Sequence, residues 1–120
     1  MDRKRILIFD DDVPLLDVLQ IIFTEGGYEV EVSQSSNNVV ECVSTFQPDL
    51  ILMDYLIPEI GGAEAIKTLR NNQKFNKVPV ILVSATTNIA KIKNTSGAND
   101  CLRKPFDIDD LETIVNKYLS

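Results

Sequence analysis

Histidine is absent from this 120-residue chain, and so is tryptophan. Without imidazole, the protein has neither the ligands of a His-based zinc site nor the base of a Ser-His or Cys-His catalytic pair. Its two cysteines, Cys42 and Cys101, are far apart in sequence and match no metal-binding spacing. We therefore expect reduced thiols rather than a disulfide.

Long apolar runs and an excess of positive charge are also missing. No run approaches the roughly 20 apolar residues that cross a bilayer, and the run near the N-terminus is shorter than a signal peptide requires. The formal net charge of −6 argues against a surface that binds nucleic acid through clustered lysine and arginine. These absences predict a cytoplasmic protein with no direct contact to nucleic acid or membrane.

Short apolar runs alternate with amphipathic segments along the whole chain. The runs are typical of buried strands and predict strands at residues 6–9, 28–32, 50–53, 78–83 and 101–103. The intervening segments predict helices at residues 13–25, 39–46, 63–71, 89–96 and 108–119. This order predicts one α/β domain over residues 1–120, with a parallel sheet covered by helices on both faces.

Two helices carry further local signals. The first predicted helix has one broad apolar face, formed by Leu15, Leu16, Val18, Leu19, Ile22 and Phe23, with Ile21 outside it. The last predicted helix has Asp107 as a candidate N-cap. Phe106 and Leu111 flank that residue at the spacing of a hydrophobic staple.

Polar residues follow four of the predicted strands. Asp10 and Asp11 follow the first strand, Asp54 the third, Ser84 the fourth and Lys104 the fifth. If these four strands are parallel neighbours, their carboxyl ends bring the polar side chains to one edge of the sheet, where α/β proteins bind ligands.

The chemistry of these groups suits a phosphoryl group. Clustered carboxylates without histidine or thiolate favour a hard cation, Mg²⁺ or Mn²⁺. A cation, a hydroxyl and an ammonium can neutralise and position a phosphoryl group, and a carboxylate can accept it as an aspartyl phosphate. Each group alone also has an ordinary role, such as helix capping by Asp10 to Asp12 or a solvated charge at Lys104. Their shared position at strand ends favours one site.

In this arrangement the chain resembles the receiver domain of bacterial two-component response regulators over essentially its whole length. The resemblance is carried by Asp10-Asp11, by Leu52-Met53-Asp54 with Pro58 and Gly62, by Ser84-Ala85 and by Lys104-Pro105-Phe106. It implies a flavodoxin-like, doubly wound (βα)5 three-layer sandwich with sheet order 2-1-3-4-5.

The resemblance also implies roles for the polar residues. Asp54 would be the phosphoacceptor, Lys104 would pair with one phosphoryl oxygen, and Ser84 would hydrogen-bond another. The Lys104–Pro105 peptide bond would be cis.

The implied metal site takes Mg²⁺, or Mn²⁺ in its place. Asp11, Asp54 and the backbone carbonyl of Leu56 would bind the ion directly, and Asp10 would act through bound water. The side chain of Leu56 would flank the site, where the family tunes water access and the rate of dephosphorylation.

The implied partners are a sensor histidine kinase or a histidine phosphotransfer protein, since the chain has no histidine of its own. A downstream protein would bind the face formed by helix 4, strand 5 and helix 5, which carries Lys91, Lys93, Arg103 and Lys117. One departure concerns the switch, because Cys101 stands where the family often has an aromatic residue.

Three other functions remain open at this point. Phe9-Asp10-Asp11-Asp12 also fits the strand and Asp-x-Asp of a haloacid-dehalogenase-type phosphatase, although no acidic metal ligand follows the fourth strand. A flavodoxin-like electron carrier would share the fold, but three aspartates after the first strand would repel the FMN phosphate. A receiver-like interaction module would work without phosphorylation. We favour a signalling domain that catalyses only its own phosphoryl transfer and dephosphorylation, rather than an enzyme.

Overall fold

A computed structural model describes residues 3–120 as five strands and five helices that alternate along the chain. The strands are β1 (Arg5–Phe9), β2 (Glu29–Ser33), β3 (Leu50–Asp54), β4 (Val80–Ser84) and β5 (Asp100–Arg103). The helices are α1 (Val13–Glu25), α2 (Val39–Phe46), α3 (Gly62–Arg70), α4 (Ile89–Ser96) and α5 (Ile108–Leu119). Residues 1 and 2 of the predicted domain lie outside the described part of the chain.

The five strands form one parallel sheet in the order β2-β1-β3-β4-β5. This confirms the predicted fold and strand order. Since all strands run in the same direction, the carboxyl ends of β1, β3, β4 and β5 lie along one edge of the sheet.

Alternate residues of each strand point to opposite faces of the sheet, which creates two apolar cores. Ile6 and Ile8 of β1 pack with α1 and α5 on one face, whereas Leu7 and Phe9 pack with α2, α3 and α4 on the other. The central strands are therefore apolar at nearly every position, as expected for a sheet covered on both sides. β2 lies at the edge, in keeping with its alternating sequence.

The sequence predicted that the fourth strand begins at residue 78, but the strand begins at Val80. Pro79 has no N–H to donate to a strand ladder. Its carbonyl still accepts a hydrogen bond from Ile51 N–H at 3.0 Å, so the segment approaches the sheet one residue before the strand begins.

One local prediction about α1 is wrong, and one about α5 is confirmed only for the position of the N-cap residue. Val18 is 47% exposed, although the helical period placed it on the buried face of α1; the face that α1 buries is narrower, with Leu16, Leu19 and Phe23 at its centre. Asp107 occupies the N-cap position of α5, but its side chain makes no capping hydrogen bond. Ile21 is 60% exposed, as predicted. None of the described helices has the length and apolar character needed to cross a membrane.

Candidate functional site

Three aspartates meet at the carboxyl edge of the sheet. Asp10 follows the last residue of β1, Asp54 is the last residue of β3, and Asp11 lies within the loop into α1. One carboxylate oxygen from each residue lies within 4.8 Å of the others. Asp10 and Asp54 are almost completely buried, whereas Asp11 is exposed. The cluster is therefore open to solvent on one side.

Lys104 bridges two of these carboxylates. Its Nζ lies 2.8 Å from Asp10 Oδ2 and 3.2 Å from Asp54 Oδ1. Its backbone N–H donates to the carbonyl of Ser84 at 2.8 Å, which fixes the start of the β5–α5 loop against β4. The Lys104–Pro105 peptide bond is cis, as predicted. One ammonium faces three carboxylates, so two negative charges stay unbalanced when all four groups are ionised.

Burial and the neighbouring charges together shift the pKa of Asp54 and the pKa of Lys104. Burial and the negative charge of Asp10 raise the pKa of Asp54, while Lys104 opposes the rise. Burial lowers the pKa of Lys104, but its bonds to Asp10 and Asp54 outweigh burial and raise it. A further cation at the open side would favour the ionised form of Asp54. Oxygen donors and uncompensated negative charge fit Mg²⁺ or Mn²⁺.

Ser84 ends β4 at the same edge and is buried. Its Oγ accepts a hydrogen bond from Thr86 N–H at 3.1 Å. Because that bond uses a lone pair, the hydroxyl keeps its own hydrogen for donation. Ser84 thus supplies a buried hydroxyl donor near the end of the strand that pairs with β3.

The segment after Asp54 turns sharply to begin α3. Gly62 packs so closely on β3 that a Cβ at this position would lie 2.3 Å from the Asp54 carbonyl oxygen. Only glycine fits such an approach without a backbone shift. The Leu56 side chain within this segment is 74% exposed, and its position beside the site remains a prediction. The role of its carbonyl as a metal ligand remains a prediction.

Ser36 contacts this segment, although no sequence pattern indicated it. Ser36, in the β2–α2 connection, is completely buried and hydrogen-bonds to Pro58 and Ile60. In the sequence it belongs to a polar turn, which gave no sign of these distant partners.

The predicted partner-binding face carries the expected basic residues. Lys91 and Arg103 are exposed, whereas Lys117 forms an ion pair with Asp100 at 3.3 Å. Cys101 is half-buried against the core formed with α2, α3 and α4, and both cysteines are free thiols. Burial, reinforced by Asp100, raises the pKa of Cys101, which keeps this thiol protonated.

Comparison with known proteins agrees with this geometry. Residues 6–116 match the family model described as the response regulator receiver domain. The DNA-binding dual master transcriptional regulator RpaA of Synechocystis sp. is 34% identical over 117 residues, which cover 96% of this chain and 48% of the relative. The chain thus spans about half the length of that relative.

Two solved receiver domains are similar in structure. One belongs to a signal transduction histidine kinase from Syntrophus aciditrophicus, with a TM-score of 0.88, 29% identity, and coverage of 97% of this chain and 89% of that chain. The other belongs to a sensor histidine kinase from Pseudomonas aeruginosa, with a TM-score of 0.88, 25% identity and 98% coverage of each chain. A magnesium ion is coordinated in the active-site cleft of the Pseudomonas domain.

Proposed function

The chain belongs to the response regulator receiver domain family, and we propose that it accepts a phosphoryl group on Asp54 from the phosphohistidine of a partner protein. The observation that carries this proposal is the position of Lys104 Nζ, within 3.2 Å of both Asp10 and Asp54 in a cluster of three carboxylates. The arrangement supports the proposal because it would bring a nucleophile, an ammonium and an acidic pocket together. In this proposal residues 1–120 form a single receiver domain.

In the proposed reaction an Asp54 oxygen attacks phosphorus while the bond between phosphorus and the donor nitrogen breaks. The electron pair of that bond returns to the imidazole, which leaves neutral when its other nitrogen carries a proton. The product is an acyl phosphate on Asp54. Lys104 then pairs with one phosphoryl oxygen, and the Ser84 hydroxyl donates to another. Hydrolysis of the acyl phosphate by water would return the domain to its starting form.

Asp11, Asp54 and the Leu56 carbonyl would hold Mg²⁺, with Asp10 acting through bound water. The ion supplies charge neutralisation for the phosphoryl oxygens when bound. Asp10 also keeps Lys104 in place, because its carboxylate lies 2.8 Å from Nζ. Mn²⁺ has similar oxygen preferences and is expected to replace Mg²⁺.

The partner that supplies the phosphoryl group would be a sensor histidine kinase or a histidine phosphotransfer protein. The face formed by α4, β5 and α5 would bind a downstream protein and thereby pass the signal on. We place this activity in the cytoplasm, without direct contact to nucleic acid or membrane. The name of RpaA describes a DNA-binding protein, so a DNA-binding assay with this chain tests the nucleic-acid part of the proposal.

The test is incubation of the protein with acetyl phosphate and Mg²⁺, followed by intact mass measurement. We expect the gain of one phosphoryl group, its absence when Mg²⁺ is chelated, and its slow loss after the donor is removed. Asp54→Asn should abolish the gain.

Asp12→Asn is the matched control. Asp12 is exposed, and its Oδ1 accepts a hydrogen bond from Leu15 N–H, a capping role that asparagine can retain. This variant should be phosphorylated like the wild type. A phosphoryl gain that survives Asp54→Asn would contradict the proposal. The absence of any gain with both acetyl phosphate and a phosphorylated histidine phosphotransfer protein would favour a phosphorylation-independent interaction module instead.

A further inference from the structure

Ser36 is a fully buried serine that makes three hydrogen bonds to the segment following Asp54. Its Oγ and its backbone N–H both donate to the Pro58 carbonyl, at 2.9 and 3.1 Å. The same Oγ accepts a hydrogen bond from Ile60 N–H at 3.2 Å. One side chain in the β2–α2 connection thus fastens both ends of a three-residue segment, residues 58–60.

The middle residue of this segment has an unfavourable backbone conformation. Glu59 has a φ of 85°, in the region that residues with a side chain rarely adopt. Such a conformation persists only where surrounding contacts hold it in place. The Ser36 hydroxyl provides these contacts, because it bonds to the residue before Glu59 and to the residue after it.

The fastened segment lies close in sequence to the acidic site. Ile57 is buried, and its N–H donates to the Asp54 carbonyl at 3.3 Å. Tyr55 N–H donates to the Val83 carbonyl of β4 at 2.8 Å. Leu56 is therefore held from two sides, by β4 through Tyr55 and by the segment that Ser36 fastens.

We propose that Ser36 is a positioning residue for the cation site and acts through the Leu56 carbonyl. This inference rests on the proposed function, in which that carbonyl binds Mg²⁺. A backbone carbonyl cannot rotate as a side chain does, so its position depends on the loop that carries it. Groups that orient metal ligands typically change metal affinity about 10- to 100-fold when they are removed.

The test is Ser36→Ala, which removes the hydroxyl and leaves the backbone N–H bond to Pro58. We expect the Mg²⁺ dissociation constant, measured by isothermal titration calorimetry, to rise about tenfold, the low end for such orienting groups. Urea unfolding without metal gives the loss of stability separately. A purely structural role for Ser36 would lower the unfolding free energy and leave the Mg²⁺ dissociation constant of the folded protein unchanged.

Ser35→Ala is the matched control, because it removes a hydroxyl from the neighbouring residue of the same loop. Ser35 Oγ accepts from Asn37 N–H at 3.0 Å, within its own connection. This variant should bind Mg²⁺ like the wild type. Equal Mg²⁺ affinities for wild type and Ser36→Ala would overturn the inference.

Amide hydrogen exchange in the wild type provides a second measurement, which decides the matter if Ser36→Ala does not fold. If Ser36 and Mg²⁺ stabilise the same loop conformation, bound Mg²⁺ should slow the exchange of Ile60 N–H. Unchanged exchange at Ile60 would contradict the coupling. Wild-type protein that bound no Mg²⁺ and gained no phosphoryl group would overturn the proposed function itself. Normal wild-type binding with an unaffected Ser36→Ala variant would overturn only the role of Ser36.

Discussion

Replacing Lys104 with methionine removes the ammonium that bridges Asp10 and Asp54 while keeping an unbranched side chain. Without it, both buried carboxylates face Asp11 with no ammonium between them. At pH 7, without divalent metal, the folded state should therefore lose stability. Bound Mg²⁺ should restore part of the loss, since it supplies positive charge at the same cluster.

The magnitude follows from the distances and the burial. Charges 2.8 and 3.2 Å apart attract by roughly 5 to 6 kcal/mol per pair at an effective dielectric near 20. The cost of taking the ammonium out of water offsets part of this attraction. Solvent also weakens it, because the Lys104 side chain remains 23% exposed. Protonation of Asp54, whose pKa is already raised, further limits the loss of stability. We therefore expect a loss of about 3 kcal/mol, the low end for a buried pair that loses one partner.

Urea unfolding at pH 7 in the presence of a chelator measures this loss. Lys67→Met is the matched control, because Lys67 pairs with Glu64 at 3.5 Å on an exposed helix face, where an ion pair contributes about 0.5 kcal/mol or less. Adding Asp54→Asn to Lys104→Met removes one repelling carboxylate. The two changes should show a coupling of about 1 kcal/mol or more. The electrostatic reasoning would be refuted if Lys104→Met lost no more stability than Lys67→Met. It would also be refuted if the stability effects of Lys104→Met and Asp54→Asn were additive.

Two further predictions concern the framework of the site and the opposite end of the sheet. Gly62→Ala places a Cβ 2.3 Å from the Asp54 carbonyl oxygen, so the backbone must shift. We expect a stability loss of about 2 kcal/mol in urea unfolding, and wild-type stability would contradict the close approach. Burial acts to raise the pKa of Asp100, but the Cys101 N–H and Lys117 lower it overall. Because the folded pKa lies below the unfolded value of about 3.9, Asp100 stabilises the fold above that pH, and this stability is lost as pH falls through the folded pKa. Asp100→Asn should lower stability at pH 6 and flatten the acid limb of the stability profile, and a profile parallel to the wild type would exclude this contribution.

The acidic cluster could be predicted because each member directly follows a strong strand signal. Asp10 and Asp54 end apolar runs, and any parallel sheet brings such ends to one edge. Their proximity therefore required no knowledge of side-chain packing. The distances from Lys104 did require it, since they depend on how the loop after β5 folds against Ser84.

Ser36 and Val18 illustrate contacts and burial that sequence patterns did not predict. The partners of Ser36 are 22 and 24 positions away, and a serine within a polar turn has no spacing that indicates them. Val18 lies near the apolar face of α1 by the helical period, but the width of the covered face depends on the neighbouring elements. Local signals thus predicted the elements and their order, while contacts between distant segments decided which side chains are buried.

The location of the acyl phosphate tests the central claim most directly. After incubation with acetyl phosphate and Mg²⁺, borohydride reduces an aspartyl phosphate to homoserine, and peptide mass spectrometry locates the converted residue. We predict conversion of Asp54, dependent on Mg²⁺ and absent from Asp54→Asn. Conversion of Asp10 or Asp11 instead, or of no aspartate in protein that has gained a phosphoryl group, would contradict the account.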